Sequence, residues 1–81
     1  MSNNYYKEFL AELQTNKNYN ELIDKAVLFI ENLEDLPIED RPLLYHETAW
    51  LHSKIGKEYE AVKYCDYGIE LIKKSNHGQH L

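Results

Sequence analysis

Apolar residues recur every three to four positions over four stretches of this chain, the spacing that aligns them along one face of an α-helix. The pattern predicts helices over about residues 4–14, 19–33, 41–55 and 58–74. The second stretch is apolar around more than half of its circumference, so we expect that helix to pack between two neighbours. The sequence therefore predicts an all-α fold of four helices arranged as two antiparallel helical hairpins.

The segments between these helices carry residues that stop or restart a helix. Gly56 suits the end of the third helix, because glycine readily adopts the left-handed conformation that closes helices. Pro37 disfavours helical geometry at the residue before it, and Asp40 is placed to cap the third helix. We expect one domain over residues 1–81, divided into a degenerate first hairpin (4–33), an acidic connector (34–40), a second hairpin (41–74) and a flexible tail (75–81).

Small residues recur in the second half where two helices would have to approach closely: Ala49, Ala61 and Gly68. With its turn glycine, this half resembles a tetratricopeptide repeat, a helix–turn–helix unit of about 34 residues. The residues that carry the resemblance are Tyr45, Ala49, His52, Gly56, Ala61, Cys65 and Gly68. The match has exceptions, since Glu58 stands where an aromatic residue usually follows the glycine and Thr48 where the family favours leucine.

The first half matches the same template less well, because Leu10 and Leu22 stand where the second half has alanine. Two units are fewer than the three or so that normally make a stable array. We therefore expect the array to be completed by self-association, by a partner or by lengthened helices. The chain is similar to a small version of the repeat region of bacterial peptide-responsive regulators.

The resemblance implies binding of proteins or peptides, in a concave groove that the third helix would face. Trp50, the only tryptophan, would lie on that face and could anchor a partner. The neighbouring candidates on this helix are Leu43, His46, Glu47, Ser53 and Lys54. The alternative is that Trp50 packs in the core.

A second candidate surface is an aromatic face of the fourth helix, formed by Tyr64, Tyr67 and Leu71. The small residues beside it should dock on the third helix, and in an array the next unit would cover the aromatic face. We expect a second copy of this chain or another protein to cover it here. The alternative is that the tyrosines pack on the second helix with their hydroxyls in water.

Charge and composition narrow the kinds of partner. The net charge of −5 disfavours nucleic acid and anionic membrane surfaces, which require basic patches. The sequence contains no run of about 18 apolar residues and no signal-peptide pattern at its start. A single cysteine, Cys65, fits a reducing cytoplasm, and the bias towards Lys and Asn suggests a low-GC bacterium or a phage.

No motif in the sequence predicts catalysis, a metal site or a cofactor. His46 and Glu47 begin like a zinc-protease helix, but Trp50 occupies the position that the second histidine would need. Cys65 has no histidine at ligand spacing, and we expect it in the core. His77 and His80, in the predicted tail, could bind metal only adventitiously. The acidic residues around the connector could meet a basic partner, although a solvated loop is the favoured interpretation.

The sequence thus favours a small cytoplasmic protein–protein interaction module, an adaptor or inhibitor that is not an enzyme. It would bind its partner through the helical groove or the aromatic face. Two alternatives are open: a regulator that senses a short peptide, and a structural module that assembles with itself.

Overall fold

A computed structural model of the chain describes residues 3–76 and contains four α-helices. They are α1 (Asn3–Thr15), α2 (Tyr19–Glu31), α3 (Arg41–Lys54) and α4 (Glu58–Asn76). This part of the chain has no β-strand, which confirms the predicted all-α class. Helix α4 extends two residues into the predicted tail, and segment 77–81, with both of its histidines, lies outside the described residues.

The connector between α2 and α3 consists of two short 3-10 helices, Leu33–Asp35 and Ile38–Asp40, on either side of the buried Leu36. Arg41 holds it in place, because its Nε donates to the carbonyl of Leu36 over 3.1 Å and its Nη2 donates to the carbonyl of Glu34 over 3.3 Å. Asp40 occupies the predicted N-cap position of α3, but its side chain makes no capping hydrogen bond. Asp40 already has helical backbone angles, since the second 3-10 helix runs directly into α3.

The turn between α3 and α4 is closed by Gly56, the residue at which the sequence predicted the helix to end. Its φ of +78° lies in the left-handed region, where a side chain would be strained. The N–H of Lys57 donates to the carbonyl of His52 over 2.9 Å, and that of Gly56 to Ser53 over 3.2 Å. These two bonds form a Schellman motif, which satisfies carbonyls that the end of α3 would otherwise leave free.

Helices α3 and α4 run antiparallel and approach each other closely at Gly68. A Cβ atom built on Gly68 would lie 3.3 Å from the carbonyl oxygen of Pro42 and 3.3 Å from the Cβ of Tyr45. Ala49 is also buried, whereas Ala61 is only half-buried. The prediction that small residues permit this approach is confirmed for Gly68 and Ala49.

The hydrophobic core lies where α1 and α2 meet the connector and α3. It contains Tyr6, Phe9, Leu22, Ala26, Phe29, Leu36, Leu44 and Leu51. The rings of Tyr6, Phe9 and Phe29 form a cluster with centroids 5.4–6.2 Å apart. As predicted, α2 packs against two neighbours, α1 and α3, and α3 in turn packs between α2 and α4.

Two polar side chains of α3 are buried, and both are hydrogen-bonded within the helix. The Thr48 hydroxyl donates to the carbonyl of Leu44 over 2.8 Å, and Nδ1 of His52 lies 2.8 Å from the carbonyl of Thr48. Because a carbonyl only accepts, the Nδ1 of His52 carries the hydrogen. The Thr48 hydroxyl and the Nδ1–H of His52 are therefore both hydrogen-bonded where they are buried between the helices.

Tyr6 differs, because its buried hydroxyl makes no hydrogen bond within the described residues. Burial is the main reason why the pKa of Tyr6 is raised to about 12, and the negative charges of Glu47 and Asp40 add to the effect. We expect Tyr6→Phe to leave the protein as stable at pH 7 or to stabilise it by about 1 kcal/mol, since it removes an unsatisfied polar atom. Urea denaturation followed by circular dichroism measures this difference.

The same substitution should change the response to alkali. The unfolded chain loses the Tyr6 proton near pH 10 and the folded chain near pH 12, so the wild type carries no ionisation penalty below pH 10. Its stability falls as the pH rises from 10 through about 12, because only the unfolded chain releases the proton readily in that range. We therefore expect the advantage of Tyr6→Phe to grow between pH 10 and 12. A variant that is less stable than the wild type at pH 7 would instead show that the hydroxyl has a partner.

Candidate functional site

An apolar groove runs along one side of the contact between α3 and α4. It consists of three adjoining depressions of about 280, 190 and 450 Å³, and His46 lines all three. Helix α3 contributes Pro42, Leu43, His46, Ala49, Trp50 and Ser53. Helix α4 contributes Ala61, Val62, Cys65, Gly68, Ile69 and Ile72. We call this surface the α3–α4 groove.

Several large apolar side chains in the groove are exposed. Val62, Ile69 and Ile72 of α4 are 59%, 49% and 48% exposed, and Leu43 and Trp50 of α3 are 44% and 37% exposed. They form one continuous surface, because adjoining depressions share lining residues. A contiguous exposed patch of this kind marks an interaction surface more often than an isolated exposed leucine does.

Trp50 stands at one end of the groove and is held from two directions. The ring of Tyr19, at the start of α2, meets it edge-on at a centroid distance of 6.0 Å. The Nζ of Lys54 lies 5.1 Å from the centroid of the Trp50 ring, within range of a cation–π interaction. These contacts restrict the indole, while 37% of the residue stays exposed.

At the other end of the groove, α3 meets the connector and the last turns of α4. Leu43, Pro42 and Ile72 line this end together with Glu39. One end of the groove therefore carries the Glu39 carboxylate, from the 3-10 helix just before α3, and the ammonium group of Lys54 lies beside Trp50 at the other end. Between them, His46 is the main polar side chain in an otherwise apolar lining.

Five of the candidate residues predicted from sequence lie together. Leu43, His46 and Trp50 line the groove, as does the neighbouring Ser53, and Lys54 lies against Trp50. The groove itself is formed between the two helices of one hairpin. Glu47, which the sequence placed near this set, is half-buried, and this burial raises the pKa of its carboxyl group while His46 opposes the shift.

The three residues of the predicted aromatic face lie on a different side of α4. The Tyr64 ring stacks on His52 at 5.1 Å and on Tyr45 at 6.3 Å, and the Tyr67 ring meets Tyr45 at 5.8 Å. The expectation of an uncovered aromatic face is therefore wrong for Tyr64, and the alternative of packing on α2 is wrong as well, because these rings pack on α3. Tyr67 remains half exposed and Leu71 is half-buried.

The structure adds groove residues that the sequence analysis did not select. Val62, Cys65, Ile69 and Ile72 follow one another at spacings of three and four, so they form a row along α4. This row was the signal that could have identified them. The expectation of a core position for Cys65 is wrong, since its side chain is exposed in the groove.

The groove offers apolar contact area and few groups for chemistry. Within residues 3–76, no group of three or more His, Cys, Asp or Glu side chains is placed to hold a metal ion. None of the helices in that range combines the length and the apolar character that spanning a bilayer requires. Comparison of the sequence with protein-family models, with curated proteins and with solved structures gave no match.

Proposed function

We propose that this chain is a small cytoplasmic protein–protein interaction module, an adaptor or inhibitor, whose α3–α4 groove binds an amphipathic helix of a partner protein. The observation that carries the proposal is the continuous row of exposed apolar side chains along the groove. A partner helix with apolar residues at positions i, i+3 or i+4 and i+7 would match such a row.

The chain's own packing supports a helix as the occupant. Helix α3 packs on the α1–α2 hairpin and buries Leu44 and Leu51, seven positions apart, in the core with Leu22 and Ala26. The α3–α4 hairpin presents its own two-helix surface on the groove side. In helical repeat proteins each unit buries its apolar face against the next. The resemblance of this half to a tetratricopeptide repeat favours the same use of the groove.

Trp50 is the expected anchor of the bound helix. Tyr19 and Lys54 already restrict the indole, so little side-chain freedom remains to be lost on binding. Partly buried tryptophans in preformed pockets commonly dominate the energy of interfaces. Binding would act by occlusion or by scaffolding, because the groove holds no evident catalytic arrangement.

A short signal peptide is a less well supported ligand. Peptide sites usually present several convergent polar groups that fix the ligand backbone. In the α3–α4 groove the polar contribution comes mainly from His46, Ser53 and, at one end, Glu39. The lining therefore favours an apolar helix face over an extended peptide.

Affinity capture with matched variants tests the proposal. Ile69→Glu places a charge in the middle of the groove, and Tyr59→Glu places one on a side chain of the same helix that is 77% exposed and does not line the groove. We expect tagged wild type and Tyr59→Glu to retain the same partner from native cells and Ile69→Glu to lose it. Equal retention by Ile69→Glu would show that the partner does not use the groove.

A further inference from the structure

We infer that, without another partner, the α3–α4 groove is closed by the same groove of a second copy of this chain, with the two α3 helices antiparallel about a two-fold axis near His46. This inference rests on the proposed function, since it requires the groove to be an interaction surface. It names a second copy of the chain as the molecule that occupies the groove. Self-association would then compete with binding of a partner helix.

A row of side chains runs from Glu39 along α3 to Lys54, and this row is complementary to a second copy of itself that runs in the opposite direction. Leu43 and Trp50 stand equally far from the midpoint between positions 46 and 47, and so do Glu39 and Lys54. In a two-fold interface, a contact of residue i with residue j of the other copy is always accompanied by the reciprocal contact. Leu43 would therefore meet Trp50 of the second copy, and Glu39 would meet Lys54 of the second copy.

The charges at the ends of this row select the antiparallel register. Glu39 lies in the 3-10 helix that runs directly into α3, and it is separated from Lys54 by roughly 22 Å along the axis. An antiparallel arrangement places each carboxylate beside an ammonium group at both ends, whereas a parallel arrangement would place like charges together. Because each chain carries a net charge of −5, such pairing gives specificity to an association that overall charge opposes.

The groove row of α4 is likewise symmetric about its own midpoint. Val62 and Ile72 stand equally far from position 67, and so do Cys65 and Ile69. Reversed pairing therefore matches apolar side chains with apolar side chains along this helix too. The product would be a four-helix arrangement in which α3 and α4 of both copies enclose a shared apolar seam.

The size of the chain gives a physical reason for this association. A domain of 81 residues buries a limited share of its surface, and association is a common way to bury more. The five large side chains in the groove are each between about a third and three-fifths exposed in the isolated chain. A two-fold contact would cover them all at once.

Charge exchange between copies tests the pairing. In homodimers of Glu39→Lys or of Lys54→Glu, both end contacts would join like charges. In the double variant, or in an equal mixture of the two single variants, both end contacts would again join opposite charges. Dissociation constants come from sedimentation equilibrium, and the fluorescence of Trp50, the only tryptophan, reports closure of the groove independently.

We expect a wild-type dimer, a dissociation constant about tenfold weaker for each single variant, and recovery in both the double variant and the mixture. Circular dichroism spectra matching the wild type would show that all variants fold. A wild type that stays monomeric at millimolar concentration, or single variants that fail to recover on mixing, would overturn the inference. If Ile69→Glu still loses its captured partner in that case, the proposed function stands and only the second copy as occupant fails.

Discussion

Replacing Leu44 with alanine should lower the free energy of unfolding by about 2–5 kcal/mol. Leu44 has no exposed surface and lies in the core with Leu22 of α2. Removing its methyl groups loses burial and leaves a cavity that packed helices fill only in part. For a domain of this size the loss is a large fraction of the total stability, so urea denaturation should show a markedly lower midpoint.

The neighbouring Leu43 supplies a matched control. It is the same residue type in the same turn of α3, but it is 44% exposed and lines the groove. We expect Leu43→Ala to change stability by less than about 1 kcal/mol and to weaken binding at the groove. Equal destabilisation by the two substitutions would mean that Leu43 is part of the core.

The helices and their ends could be predicted where local chemistry decides them. Apolar spacing in α2 places Leu22, Ala26 and Phe29 on one face, and all three are buried. Gly56 ends α3 because only a residue that tolerates positive φ can close that turn without strain. Both features are determined by residues that are close together in the chain, so they can be predicted from one sequence alone.

The end of α2 and the start of α3 were harder to predict, because they depend on contacts across the connector. The chain leaves α2 at Glu31 and forms a short 3-10 helix, although Leu33 continues the apolar pattern. The side chain of Arg41 binds two connector carbonyls, and this tertiary contact has no local signature. Asp40 takes the predicted N-cap position, but its side chain makes no capping bond, because the second 3-10 helix runs directly into α3.

The composition of the groove could be predicted only in part, because α4 carries two apolar rows. One row contains Tyr64 and Tyr67, and the other contains Val62 and Ile69. The apolar spacing predicts both rows, but it does not determine which of them packs against α3. In the structure, the rings of Tyr45 and His52 of α3 pack against the tyrosine row. The aliphatic row is therefore left exposed.

The rotation that exposes the aliphatic row depends on a close contact at Gly68. There α4 lies against the backbone of Pro42, and this approach also lets the Tyr45 ring reach Tyr64 and Tyr67. Gly68 is itself part of the groove lining. One residue without a side chain therefore sets both the packing of the hairpin and the shape of the candidate site.

Gly68→Leu should consequently destabilise the protein by about 3 kcal/mol, because overfilling a close helix contact forces backbones apart. A first side-chain atom would already lie 3.3 Å from the Pro42 carbonyl oxygen, and backbone cannot move aside as a flexible side chain can. Gly68→Ala is the matched control. Its gain in helix propensity of about 1 kcal/mol offsets a tight contact, so we expect a change within about 1 kcal/mol. Thermal and urea denaturation would measure both, and a Gly68→Leu variant as stable as the wild type would show that Gly68 does not set the α3–α4 distance.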